Sequence, residues 1–344
     1  MKSRMHRFSL KPVFLALLFT GFSTFGNSQD TNKVISPQAG DLPHINWIKQ
    51  WPSPDKKRES NTFKARFNSI FLGKKPAFLS KPVSVLAFNS DDFWILDQGD
   101  GTVFHVQGDV GDIPHYIRKS DFELSSLVGV CSASTDGILF TDSGAKKIYK
   151  ISPDKKKIEI LNDSLTLDQP TGIAWSAVTN EIWVVETNAH RITVLNEKGE
   201  IVKRIGSRGT SKGEFNYPTH IWIDKTGMVY IVDAMNFRIQ VFEPFGEVVS
   251  VFGQQGDASG YFARPKGIAT DSHGNIYIAD ALFHVVQVFD LKGNFLYKFG
   301  AQGRGAGEFW MPSGIYIDNN DFIYVADSYN SRIQVFQLVY GNKK

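Results

Sequence analysis

Cysteine occurs once in the 344 residues, at Cys131, so no internal disulfide can staple the fold. Its neighbours Val128, Val130 and Ala133 mark a buried, inert thiol, and its distance from the N-terminus excludes a lipid-attachment role. Helical periodicity is missing as well. No stretch of useful length repeats apolar residues at helical spacing, which excludes helix bundles and helix-crossover folds. No apolar run reaches the roughly 20 residues that a membrane-spanning helix needs. The run near the N-terminus, residues 13–22, follows Lys2, Arg4, Arg7 and Lys11 and precedes the small residues Gly26 and Ser28. That order reads as a secretory signal over residues 1–28, with an uncleaved anchor as the alternative.

A surplus of charge is absent too. The chain carries 38 Lys/Arg against 35 Asp/Glu, a net charge of +3, and the signal holds four of the bases and no acid. The mature protein is therefore near neutral, which argues against binding a nucleic-acid backbone. Neither a nucleophile–base signature nor a phosphate-cradling glycine loop occurs. What the chain does have is apolar material, 42% of its residues with 27 Phe among them, enough to bury a large core.

That material is organised by a repeat. Residues 217–336 write one pattern three times, with Pro218, Pro265 and Pro312 spaced 47 residues apart and Asp233, Asp280 and Asp327 likewise. Fainter copies precede them. The acids Asp97, Asp142, Glu186, Asp233, Asp280 and Asp327 each close the second strand of a copy, at separations of 45, 44, 47, 47 and 47 residues. Each copy supplies four short strands of β-branched and aromatic residues joined by Gly, Asn and Asp turns. Four-stranded units repeated radially are propeller blades, so the sequence predicts an all-β, six-bladed β-propeller over residues 61–340.

Ring closure is also readable. The fourth and fifth copies end in a fourth strand and the sixth does not, while residues 66–73 end in Phe71-Leu72-Gly73 like those fourth strands. An N-terminal strand is therefore expected to complete the last blade, and residues 66–73 are the segment expected to do it. Residues 29–60, polar and dotted with proline, read as a linker laid against the body through Trp47 and Trp51.

The pattern Pro-x-Gly-Ile-Ala, Gly-x-Ile-Tyr-Val-Ala-Asp, Arg-Ile-Gln-Val-Phe resembles the NHL repeat. So does the blade linker Gly300, Gly303, Gly307, Phe309, Pro312, which recurs at Gly206/Gly209/Gly213/Phe215 and at Gly253/Gly256/Gly260/Phe262. The resemblance implies a six-bladed propeller, within a family that hosts binding modules and enzymes alike. Its peptide-amidating lyases place His after the blade-opening prolines to hold zinc. Here Val83, Thr171, Thr219, Lys266 and Ser313 occupy those places, and His220 stands one position late. A weak metal site shared by His190, His220 and His284 stays open as an alternative. The calcium-centred lactonases need carboxylates at the channel, and the first strands here begin without acids.

Glu186/Arg191, Asp233/Arg238 and Asp327/Arg332, with Asp142/Lys147 as a weaker copy, are expected to be scaffold ion pairs across a hairpin. The reading for function is an exported, periplasmic or extracellular binding or scaffolding module, monomeric and without a cofactor. It presents a protein or small-molecule ligand with Thr171, His220, Lys266 and Ser313 at the channel mouth, ringed by His190, Asn236, Arg238, His284, Asn330 and Arg332. A metal-dependent propeller enzyme of the lyase or lactonase kind is the alternative.

Overall fold

The strand-rich copies do close into a ring. The computed structural model describes residues 43–53 and 79–340, apart from 109–114, 118–121, 123, 135–136, 153 and 155–156. The signal and residues 66–73 lie outside the described residues. The described part forms six four-stranded antiparallel sheets. The innermost strands, one per blade, are Pro82–Asn89, Leu127–Ser132, Pro170–Ser176, Pro218–Ile223, Pro265–Thr270 and Pro312–Ile317. Each packs against the next around the channel, and the last returns to the first.

Closure by an N-terminal strand holds, but with a different segment from the one expected. His44–Trp51 pairs antiparallel with Arg332–Val339, from His44 opposite Val339 to Trp51 opposite Ile333. Part of the stretch read as a linker is thus a strand of blade 6. Ile45 is fully buried, and Trp51 packs on Phe93 and Phe104 of blade 1. Lys49 also reaches blade 1, pairing with Asp91 at 2.7 Å. Locally the segment looks like a linker because its β partner among the described residues lies near the far end of the chain.

The core is divided among the joints between blades. Tyr277, Val286 and Val288 of blade 5 meet Ile315, Val325 and Phe336 of blade 6 in one cluster. Blade 6 meets blade 1 through Tyr324 and Ile333 against Val85 and Phe93. Such a ring is stabilised by neighbour interfaces rather than by one central core. The glycine two places after the blade-opening proline sets how closely the innermost strands approach. A Cβ on Gly314 would sit 2.6 Å from the Val83 carbonyl oxygen, and one on Gly267 would sit 2.5 Å from the Ile315 nitrogen.

Candidate functional site

The acids that close the second strands are fully buried and serve the frame. In blade 4, Asp233 accepts hydrogen bonds from the Asn216 backbone N–H (2.7 Å), Arg238 Nε (2.7 Å) and Asn236 Nδ2 (2.8 Å). The other guanidinium nitrogens of Arg238 donate to the carbonyls of Thr210, Ser211 and Glu214, pinning the linker loop. Blade 6 repeats this with Asp327, Asn330 and Arg332, and Arg332 adds the Gln50 side chain of the closing strand at 2.8 Å. Blade 3 uses Glu186 with Arg191 and Thr193.

Blades 1, 2 and 5 manage without an arginine. Asp97, Asp142 and Asp280 are held by backbone N–H groups, and Lys147 turns to Asp163 at 3.3 Å instead of pairing with Asp142. Burial raises Asp97 and Asp280 above the usual carboxylate range.

Seven of the ten residues singled out in the sequence belong to this frame. Thr171 is buried, with its hydroxyl 2.7 Å from that of Thr187. His190 and His284 occupy left-handed turns at φ 53° and 59°. Their Nδ1 atoms accept the backbone N–H groups of Tyr217 and Met311, each at 3.1 Å, tying one blade to the linker entering the next. Asn236, Arg238, Asn330 and Arg332 complete the loop clamps just described. The weak metal site proposed for the three histidines is not assembled: two face the linkers and His220 faces the channel. Among the described residues no group of three or more His, Cys, Asp or Glu gathers to hold a metal ion.

The remaining three, His220, Lys266 and Ser313, do meet at the channel mouth. They line a cavity of about 120 Å³ together with Lys81, Gln98, Arg264 and Ser328. Burial, with the neighbouring Lys266 ammonium, pushes His220 down to about 3, so its ring is neutral. Its Nδ1 lies 3.0 Å from the Thr219 hydroxyl.

A larger cavity, about 960 Å³, opens at the opposite end, and the sequence reading missed it. Trp175, Trp222 and Tyr316 line it, with Ser132 and Thr270 as polar company. Trp222 donates from Nε1 to the Thr270 hydroxyl at 2.9 Å and meets Tyr316 edge to face, ring centres 5.3 Å apart. These two rings come from blades 4 and 6 and meet across the channel, past Ala269 of blade 5. Burial lifts the Tyr316 phenol well above its ordinary range. The rim turns are already satisfied: Asp224 and Asp318 accept turn N–H groups and the hydroxyls of Tyr230 and Tyr324. Exposed Val178, Val249 and Leu291 stand around it. A signal existed in the sequence, because Trp222 and Tyr316 stand where two other copies carry Ala174 and Ala269.

Comparison with known proteins agrees with this architecture. The family model described as a 6-bladed beta-propeller matches residues 161–246 and 268–342. No curated protein matches the chain. Among solved structures, a virginiamycin B lyase from Staphylococcus aureus with quinupristin is similar at TM-score 0.55 and 16% identity, covering 75% of this chain and 95% of that one. An auxiliary nutrient binding protein from Bacteroides thetaiotaomicron gives TM-score 0.59 at 14% identity, covering 76% of this chain and 70% of that one. At such identities the likeness concerns the fold alone. Among the described residues no helix is long and apolar enough to cross a membrane.

Proposed function

We propose that this chain is an exported, NHL-type propeller that works as a monomeric binding module, holding a protein segment or small molecule at its channel and not a nucleic acid. The wide cavity supports this reading most directly. Its volume, about 960 Å³, lies in the range of ligand sites, and its lining combines aromatic rings with a few hydroxyls. Trp222 and Tyr316 form its floor and Trp175 part of its wall, a rigid surface on which a ligand with apolar faces loses water at little entropic cost. The rim carboxylates are already bonded within their own turns, so selection falls to shape and to the hydroxyls of Ser132 and Thr270.

Calorimetric titration of the mature chain with a panel of peptides and oligosaccharides tests the seat. A ligand whose affinity falls about tenfold or more in Trp175→Ala supports it. Binding that is indifferent to Trp175→Ala and Trp222→Phe places the seat elsewhere. Export is tested separately: N-terminal sequencing of the mature protein should begin near Asn27 or Gln29, and an intact Met1 on a cytosolic protein would overturn it.

A further inference from the structure

At the narrow end of the channel, three cations converge without a counter-charge. Lys81, Arg264 and Lys266 line the same cavity of about 120 Å³. Among the described residues none of the three forms an ion pair, and the Lys266 ammonium and Ser313 hydroxyl make no hydrogen bond. Lys81 Nζ donates to Gln98 Oε1 at 3.2 Å and stands 6.0 Å from the centre of the Tyr329 ring. The titratable and charged groups that meet Lys266 from neighbouring elements are Arg264, Lys81 and His220, with Tyr329 on the same cavity wall. The strand-closing acids of blades 1 and 5, Asp97 and Asp280, are fully buried and engaged by backbone. Asp97 accepts the N–H groups of Ser80, Lys81 and Gly99, and Asp280 those of Ala263 and Arg264. The paired arginines of blades 3, 4 and 6 show what the fold does with a cation that it uses for stability. These three are placed otherwise.

The surroundings of Lys266 are unfavourable to positive charge. Burial first, then Arg264 and Lys81, push the Lys266 ammonium down to about 8. His220, kept neutral, adds no charge but offers a ring nitrogen, and Ser313 offers a free hydroxyl. A site with convergent donors, no acceptor charge and mutual repulsion among its cations is short of one component: a bound negative group, which would relieve the repulsion and accept the donors.

We infer that the narrow mouth binds an oxyanion, a carboxylate or phosphate carried by a small ligand, on Lys266 and Lys81 with Arg264 at the rim. This site is separate from the aromatic cavity, since Trp222 and Tyr316 lie between them. Binding restores the proton that Lys266 tends to lose, so affinity falls as pH rises through about 8, and near that pH complex formation takes up protons.

The experiment is calorimetric titration of the chain with inorganic phosphate and, separately, with acetate, near neutral pH and again near pH 8 in buffers of different ionisation enthalpy. Saturable binding is expected, with proton uptake near pH 8. Lys266→Gln and Lys81→Gln should weaken it about tenfold or more, while Lys266→Arg retains it. Lys292→Gln, at an exposed turn of blade 5, should not change it. A response to phosphate alone assigns a phosphate ligand, and a response to acetate assigns a carboxylate. Thermal melting separates this role from a structural one: Lys266→Gln should melt at or above the wild-type temperature, whereas a residue retained for stability would lower it. Absence of saturable binding to either anion, or equal affinity in Lys266→Gln, overturns the proposal.

Discussion

The indole nitrogen of Trp47 donates to Oε1 of Gln334 at 2.9 Å, across 287 residues of sequence. The same amide oxygen accepts the Gly307 backbone N–H at 3.0 Å, so one side chain joins the closing strand to the last blade's linker. Trp47→Phe keeps an aromatic ring but removes the donor and the pyrrole half of the indole, and should lower stability by about 1 kcal/mol. Scanning calorimetry should register this as a drop of a few degrees, and an unchanged melt would mean that the bond contributes nothing.

Removing the whole strand should do far more. A chain beginning at residue 54 leaves the edge of Arg332–Val339 unpaired and strips Trp51 from Phe93 and Phe104. It should be poorly soluble or melt well below a chain beginning at residue 30. Equal melting temperatures would show that the ring does not depend on this strand.

The arginine clamps should matter more than surface ion pairs do. The sequence suggests that Arg238→Ala costs no more than a surface pair, at most about 1 kcal/mol. The structure revises that figure, because Asp233 is fully buried and Arg238 also holds three loop carbonyls. Removing the charged partner of that buried carboxylate, along with the loop clamp, should cost about 3 kcal/mol in urea denaturation, with the fold retained.

Lys266 gives the protein a pH signature. Its folded-state value of about 8 lies below the roughly 10.4 of an unfolded lysine. The unfolded chain therefore binds more protons between those values, and stability rises with pH across that window. Below about pH 8 the charged group destabilises the fold in full. The melting difference between Lys266→Gln and wild type should accordingly be largest at neutral pH and shrink towards pH 10 and above. A constant difference would remove the cause assigned to it.

Burial raises the Cys131 thiol far above its ordinary range. A thiol-specific reagent at mildly alkaline pH should label the denatured chain quickly and the folded chain hardly at all. Rapid labelling of the folded protein would show that blade 2 opens readily.

Much of this was legible in the sequence. Six acids at near-constant spacing give the six blades, and the incomplete last copy gives closure from the N-terminus. Which segment closes it was not legible. The pairing of His44–Trp51 with Arg332–Val339 leaves no mark in local composition, and nearby Pro52 and Pro54 argue for a linker. The candidate site was legible only in part. Arg238, Arg332, His190 and His284 recur with the repeat, and recurrence marks frame duties. His220 and Lys266, like Trp222 and Tyr316, break the repeat at innermost positions, and those breaks are what the channel presents to solvent.

The closing strand makes the last blade a union of the two ends of the chain, and such a union can form between molecules as well as within one. The unpaired edge of Arg332–Val339 offers the same backbone groups and the same Gln334 to any copy of His44–Trp51. At high protein concentration, two chains that open briefly can therefore exchange their first strands and refold as an entwined pair with every joint intact. Dilution would return them to single rings only as fast as that joint reopens.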